Sequence, residues 1–288
     1  MVELSHHEVE VQGVRLHVVT AGPEQAPPLL LLHGWPESWR TWTELIPLLG
    51  RHFFLIVPDQ RGFGDSDRPE GTDAYRLSAL VADLIGILDR WSVDQIGVVG
   101  HDTGGALAWT LGMTVPDRVR RMVILAAPHP MRLREASLGD PRQARRAFYV
   151  WLMHSGEPGE RLLGSDEFRL LAAWAFAGSG VSEDLIEHYR REWARPGAFH
   201  AMAEWYRANY RPDFLNPDVA LDLPPVRVPV RYLHAERDAA FVPEAATGSG
   251  KFVEAAYDER VVPGTTHWLP HEEPELVADL ITDWMEQE

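Results

Sequence analysis

The sequence predicts an α/β fold in which a mostly parallel sheet of eight strands is covered on both faces by helices. Three observations carry that expectation. Short, continuously apolar runs at residues 28–32, 53–57, 95–99 and 121–127 have the length and content of strands buried between two helical layers. Segments with helical spacing separate them, so strand and helix alternate. The run at 95–99 leads into Gly100-His101-Asp102-Thr103-Gly104-Gly105, a glycine-crowded turn that joins a strand to a helix.

The chain has 288 residues, 45% of them hydrophobic, enough for one large α/β domain or two small ones. Its formal charge is −16, and Lys251 is its single lysine, which argues against nucleic acid and anionic membrane surfaces as partners. With no cysteine there are neither disulfides nor thiolate metal sites, and the redox compartment stays open. Residues 1–12 lack the apolar core of a signal peptide and no stretch is long enough to span a membrane. A soluble cytoplasmic protein is therefore expected.

In chain order, residues 7–19 alternate around Gly13 and read as a hairpin of two strands. The third strand, 28–32, ends in His33-Gly34-Trp35-Pro36. Ser38 or Glu37 then caps an expected helix running to about Leu49, with Trp39, Trp42, Leu45, Ile46 and Leu49 on one side. The fourth strand, 53–57, opens into the turn-rich Pro58-Asp59-Gln60-Arg61-Gly62-Phe63-Gly64-Asp65-Ser66-Asp67, followed by an amphipathic helix at 77–91. Helical spacing after the elbow begins at Ala106 and runs to about Val115, and 121–127 is the sixth strand. After Pro128-His129-Pro130 the pattern changes: residues 131–223 hold helical stretches and no convincing strand, and read as a helical cap inserted after strand 6. Strands resume at 228–234 and 259–262, and a last helix covers 273–285. The core is thus expected in two parts, 1–130 and 224–288. No internal repeat is evident.

The elbow carries the chemical signal. The glycines allow a strained central residue held out at the strand's end, and in the serine version of this turn that residue is the nucleophile. Here it is Asp102. A carboxylate attacking an ester would give an anhydride, a poor intermediate, whereas attack on an sp3 carbon gives an alkyl ester that activated water can hydrolyse. Epoxides and alkyl halides suit such a nucleophile. The plain alternative is that Asp102 merely caps the following helix.

Hydrolysis of an ester needs a base, and the base an orienting acid, both from loops at the carboxyl ends of strands. His267 stands in the loop after the last strand. Asp238 stands after the strand 228–234, just before apolar Ala239-Ala240-Phe241-Val242; Glu236 is the rival carboxylate. The site after Ala127 offers no acid until Glu135. The order nucleophile, acid, histidine is the one serine hydrolases of this type show. The backbone N–H groups of Trp35 and Thr103 are the expected oxyanion donors, and a cis Trp35-Pro36 bond is compatible with the turn. His101, His129, His154 and His271 read as structural or surface residues.

Taken together, His33-Gly34-Trp35-Pro36-Glu37-Ser38-Trp39, Asp59-Gln60-Arg61-Gly62-Phe63-Gly64-Asp65-Ser66, the elbow, and Pro128-His129-Pro130 resemble the α/β-hydrolase fold epoxide hydrolases over nearly the whole chain. The resemblance implies an α/β-hydrolase fold and an epoxide-to-diol reaction through an ester on Asp102. It also implies two cap tyrosines that protonate the epoxide oxygen. Tyr206 falls on the family's Trp-Tyr-Arg signature, and Tyr149 is the best candidate for the other. His33, Pro36, Phe148, Trp151 and Trp205 are the candidate substrate contacts, with Trp174 and Phe176 among further cap aromatics that suggest an apolar pocket. Implied partners are a small apolar epoxide and water, with neither metal nor organic cofactor, and the chain is expected as a monomer or homodimer. One departure stands out: the family usually has tryptophan after the nucleophile, and this chain has Thr103. A haloalkane dehalogenase, which uses that indole to hold halide, and a non-catalytic binding protein of the same fold are the alternatives.

Overall fold

The computed structural model describes residues 2–287. Strands β1 (Leu4–Val11) and β2 (Val14–Ala21) form a hairpin around Gln12-Gly13, both with positive φ, the geometry a two-residue hairpin turn requires. They are followed by β3 (Pro28–Leu32), β4 (Phe54–Pro58), β5 (Ile96–His101), β6 (Val119–Leu125), β7 (Val230–Ala235) and β8 (Tyr257–Val262). The eight strands form one sheet in the order β1-β2-β4-β3-β5-β6-β7-β8. Only β2 breaks the parallel run, pairing antiparallel with both β1 and β4.

Helices α1 (Ile46–Leu49), α2 (Leu77–Arg90) and α3 (Thr103–Thr114) belong to the first half of the sheet. Between β6 and β7 come α4 (Pro130–Gly139), α5 (Pro141–Arg146), α6 (Phe148–His154), α7 (Glu157–Leu163), α8 (Arg169–Ala175), α9 (Glu183–Trp193) and α10 (Ala198–Asn209). The chain closes with α11 (Pro243–Ala246), α12 (Leu269–Glu272) and α13 (Pro274–Met285). Among the described residues, none of these helices is long and apolar enough to cross a membrane.

Because successive side chains of a strand point to opposite faces, β3 feeds two cores at once. Leu30 and Leu32 join Val98, Leu107, Trp109 and Ile124 on one face, while Leu29 and Leu31 join Val99, Val123, Ile281 and Trp284 on the other. The first of these clusters continues into α10 through Trp205 and Tyr206, so the inserted helices share a core with the sheet.

The helix expected up to Leu49 is instead two short turns, a 3-10 turn at Trp39–Trp42 and then α1. Pro47 is the reason: it lacks an N–H and is tolerated only in a first helical turn, so α1 must begin just before it. Ser38 precedes the first turn without capping it through its side chain, and Glu37 is used elsewhere. All five apolar residues of the predicted face are nevertheless buried. Helix α3 begins at Thr103, three residues before the helical spacing becomes visible, because glycines 104 and 105 carry no apolar signal.

The pairing Leu32↔Gly100 between β3 and β5 places the loop after β3 directly beside the elbow. This is the crevice at the carboxyl ends of the strands where open α/β sheets bind ligands. Close approach is enforced by Gly104: a Cβ there would meet Leu32 O at 2.3 Å and His33 O at 2.4 Å, backbone atoms that cannot swing away. Gly104→Ala is therefore expected to destabilise the fold by roughly 3 kcal/mol or more, the range of severe overpacking, measured as a fall in the urea midpoint. A variant as stable as the parent would show that α3 does not need this approach.

Candidate active site

Asp102 lies at the turn between β5 and α3 with φ 51° and ψ −118°, a conformation costly for a residue with a Cβ. It occupies the N-cap position of α3, yet its side chain caps nothing there. Instead the Trp35 N–H donates to Oδ1 at 3.0 Å, while His267 Nε2 stands 3.4 Å from Oδ2. The simple capping role is thus displaced by a carboxylate aimed into the crevice. Its side chain is 11% exposed, and burial alone would raise its pKa. The His267 hydrogen bond and charge, aided by His101 and the Trp35 N–H, outweigh burial and hold it below the usual carboxylate value.

His267 follows β8, and its Nδ1–H donates to Asp238 Oδ2 at 3.0 Å and Oδ1 at 3.2 Å. Asp238, in the loop after β7, also takes the N–H groups of Ala240 (2.7 Å) and Phe241 (3.1 Å) on Oδ1, which fixes the carboxylate in an Asx turn. Glu236, the rival acid, is exposed and accepts the Gly264 N–H. Burial opposes a charge on the imidazole, but Asp238 and Asp102 flank it, and together they push its pKa up to about 10. At neutral pH the resting site holds an imidazolium between two carboxylates.

Across the crevice, Tyr206 on α10 donates to the Tyr149 hydroxyl on α6 at 3.4 Å. Tyr149 stacks on the Trp35 indole (centroids 5.6 Å, planes 18° apart), and Tyr206 meets both rings edge-on. Burial raises both phenol pKa values, and the negative charge on Asp102 adds to it. Two cavities open from this point, and they share Asp102, Tyr149, Tyr206 and Ala240. The first runs over Thr103, Ala106 and Ala127 towards Leu133, Val150 and Phe214. The second is aromatic, walled by Trp35, Phe148, Trp174 and Trp268.

The other sequence candidates distribute unevenly. Thr103 and Trp151 line the first cavity, and Pro36 and Phe148 the second. The Trp35-Pro36 bond is cis. No hydrogen bond joins the Thr103 N–H to Asp102 among the described residues. His33 lines neither cavity: it is fully buried, its Nδ1–H donates to Gly34 O, and its Nε2 accepts the Gln60 N–H. Trp205 also lies outside both, packed beneath Tyr206 and Tyr210, because α10 turns the following residue towards the site.

Sequence reasoning passed over several neighbours. Tyr210 lines the first cavity, and its spacing of four from Tyr206 on one helical stretch is the signal that reveals it. His101 and His271, set aside as structural, sandwich Glu37. His271 Nε2 donates to Glu37 Oε1 at 2.6 Å, and Oε2 lies 3.7 Å from His101 Nδ1. Burial would raise this carboxylate, but the two histidines outweigh it and hold it well below the usual range. His101 Nε2–H in turn donates to the backbone carbonyl of His267, so this cluster stands behind His267. His17, Asp59 and Asp65 also converge, but their donors are engaged. Asp59 accepts the Trp39 and Asp65 N–H groups and the His17 Nδ1–H, and Asp65 pairs with Arg195. That cluster ties the loop after β4 to the loop after β3.

Comparison with known proteins adds a family. The profile of the α/β hydrolase fold matches residues 27–274, and that of the epoxide hydrolase N terminus matches residues 1–42. The AB hydrolase superfamily protein YfhM of Bacillus subtilis (strain 168) is 32% identical over 97% of both chains. The soluble epoxide hydrolase of Corynebacterium sp. (strain C12) is 31% identical over 96% of both. A solved epoxide hydrolase structure from metagenomes of hot environments superimposes with a TM-score of 0.88 at 28% identity, covering 99% of both chains.

The electrostatics of the site are directly measurable. Titration of the imidazole by NMR is expected to place His267 near pH 10, and Asp238→Asn is expected to lower it. Since the folded value exceeds the unfolded 6.5, the contribution to stability is complete below pH 6.5 and is lost as pH rises through about 10. An unchanged midpoint in the Asn variant would mean that Asp238 does not charge the imidazole.

Proposed function

The chain belongs to the α/β hydrolase fold family, on its epoxide hydrolase branch, and from that premise we propose that it converts an epoxide to a vicinal diol through an ester on Asp102. The observation that carries this reading is the strained Asp102 carboxylate, with one oxygen on the Trp35 N–H, the other beside His267, and a tyrosine pair opposite. Residues 131–223 act as a cap that brings those tyrosines over the core.

In the first step Asp102 Oδ2 attacks a ring carbon, the carbon–oxygen bond of the epoxide breaks, and the oxygen takes a proton from Tyr149 or Tyr206. The tyrosines gain acid strength as this happens. Burial and the Asp102 charge hold their protons, and attack converts that charge into a neutral ester. The imidazolium then passes its proton to the tyrosinate, which restores the phenol and leaves His267 neutral. In the second step water loses a proton to His267 Nε2 and adds to the ester carbonyl carbon. Negative charge on Oδ1 is met by the Trp35 N–H. Collapse breaks the bond to the diol oxygen, which takes the proton of the added hydroxyl, and the Asp102 carboxylate and the imidazolium are restored.

Esterification also removes one of the two carboxylates that charge His267, so the imidazole is more easily neutralised once there is an ester to hydrolyse. The paired phenols favour epoxides over alkyl halides, since a halide leaves without a proton and an alkoxide does not. The two cavities suit a small substrate with apolar substituents.

A single turnover in heavy-oxygen water is expected to give a diol without label and to put label into the Asp102 carboxylate. Label in the first diol would overturn the ester route. Tyr149→Phe combined with Tyr206→Phe is expected to slow ring opening by about 10²–10⁴-fold, the usual worth of general-acid catalysis, read as the rate of ester formation. A rate within twofold of the parent would remove the phenols from the reaction.

A further inference from the structure

The loop that carries Asp238 is held by the inserted helices at least as firmly as by the sheet. Two side chains of α5 hold it. Gln143, 1% exposed, donates its Nε2–H to Ala240 O at 3.0 Å and accepts the Val242 N–H on Oε1 at 2.9 Å. Arg146 donates from Nη1 to the carbonyls of both Asp238, at 2.8 Å, and Phe241. Four backbone groups within five residues are therefore satisfied by one short helix. Next to it, Arg132 of α4 donates to the Thr247 and Glu244 carbonyls, and Ala136 packs with Val242, Ala245 and Phe241 in a separate small apolar cluster.

Such bonds matter more than their number. Gln143 is buried with both ends of its amide used, so displacement of α5 leaves Ala240 O and Val242 N without these partners, which is costly for buried backbone groups. The same loop forms the Asx turn on Asp238 Oδ1, so its backbone shape sets the direction of the carboxylate towards His267 Nδ1.

We propose that Gln143 and Arg146 are positioning residues that lock the Asp238 loop and so couple the placement of α5 to the orientation of the base. The proposal rests on the epoxide hydrolase reading and refines it. It assigns the inserted helices a part in ester hydrolysis as well as in ring opening. The nucleophile needs no such help, because Asp102 is set by β3, β5 and α3. Loosening the clamp should therefore slow hydrolysis selectively.

The test is rapid-quench kinetics with styrene oxide, following the ester on Asp102 by mass spectrometry in the full chain. Arg146→Gln is expected to slow ester hydrolysis by about tenfold or more, a modest part of the usual worth of a general base. Ester formation should stay within about threefold, so that ester accumulates. Arg146→Lys, which keeps a donor and the charge, is expected to recover part of the loss, and Gln143→Met to reproduce it. Thermal melting of each variant is read alongside. Equal slowing of both steps, unchanged partitioning, or a defect in Arg146→Lys as large as in Arg146→Gln would overturn the clamp. If Arg146→Gln unfolds at the assay temperature, an unchanged hydrolysis rate in Gln143→Met does the same. Absence of ester in the parent chain is a different failure, since it removes the epoxide hydrolase route and the clamp with it.

Discussion

The whole site depends on forcing one carboxylate into a backbone conformation that costs energy. Asp102 has φ 51° because β5 must end, reverse and enter α3 within a single residue. That geometry exists only where neighbouring backbones approach more closely than side chains permit. Gly34 answers the need as Gly104 does, since a Cβ there would stand 2.7 Å from Asp102 Cβ. Strain of this kind, of order 1–3 kcal/mol, persists only when the surroundings over-determine it. Here they do: α3 is pinned on β3, and the Trp35 N–H anchors one carboxylate oxygen. The conformation that costs stability is the one that frees the carboxylate from capping its helix.

Burial then turns placement into reactivity. Two carboxylates and one imidazole within hydrogen-bonding reach, almost closed to water, interact far more strongly than on a surface. The consequence is an imidazole whose pKa is held well above its ordinary value. On the proposed route, esterification of Asp102 would discharge it and so relax both the phenols above and the imidazole beside it. A second buried polar cluster, Glu37 between His101 and His271, lies behind His267 and holds its backbone carbonyl through His101.

Elements and local motifs are legible in the sequence because their causes are local. The buried strands are apolar throughout, the hairpin turn is marked by Gly13, and the elbow by its glycines. Asp102, His267, Asp238 and Trp35 can each be picked out from their place at a strand end, whereas Tyr149 and Tyr206 are singled out by the family resemblance. Misreadings have local causes too. Pro47 breaks an otherwise continuous helical pattern, and the glycines at 104 and 105 hide the first turn of α3. What no pattern reveals is contact between segments far apart in the chain. Gln143 and Val242 are 99 residues apart, and Glu37 and His271 are 234 apart. A polar residue on a short helix, or a histidine among 13, carries no sign of such a partner. His33 and Trp205 show the converse, since a motif histidine and a tryptophan beside a site tyrosine are both engaged in packing rather than lining the cavities.

The division of the chain into sheet and inserted helices does not divide the chemistry in the same way. The sheet supplies the strained carboxylate and the Trp35 N–H at the ends of β5 and β3, strands buried on both faces, and the imidazole in the loop after the edge strand β8. The inserted helices supply the phenols, and through α5 they also hold the loop on which the acid stands. Tyr149 sits on α6, three residues beyond the end of α5, so the segment that carries it is continuous with the one that steadies Asp238. In the proposed reaction, ring opening and ester hydrolysis therefore both draw on one stretch of backbone, residues 143–149. A displacement of that stretch would withdraw the acid needed for the first step and loosen the support of the imidazole needed for the second.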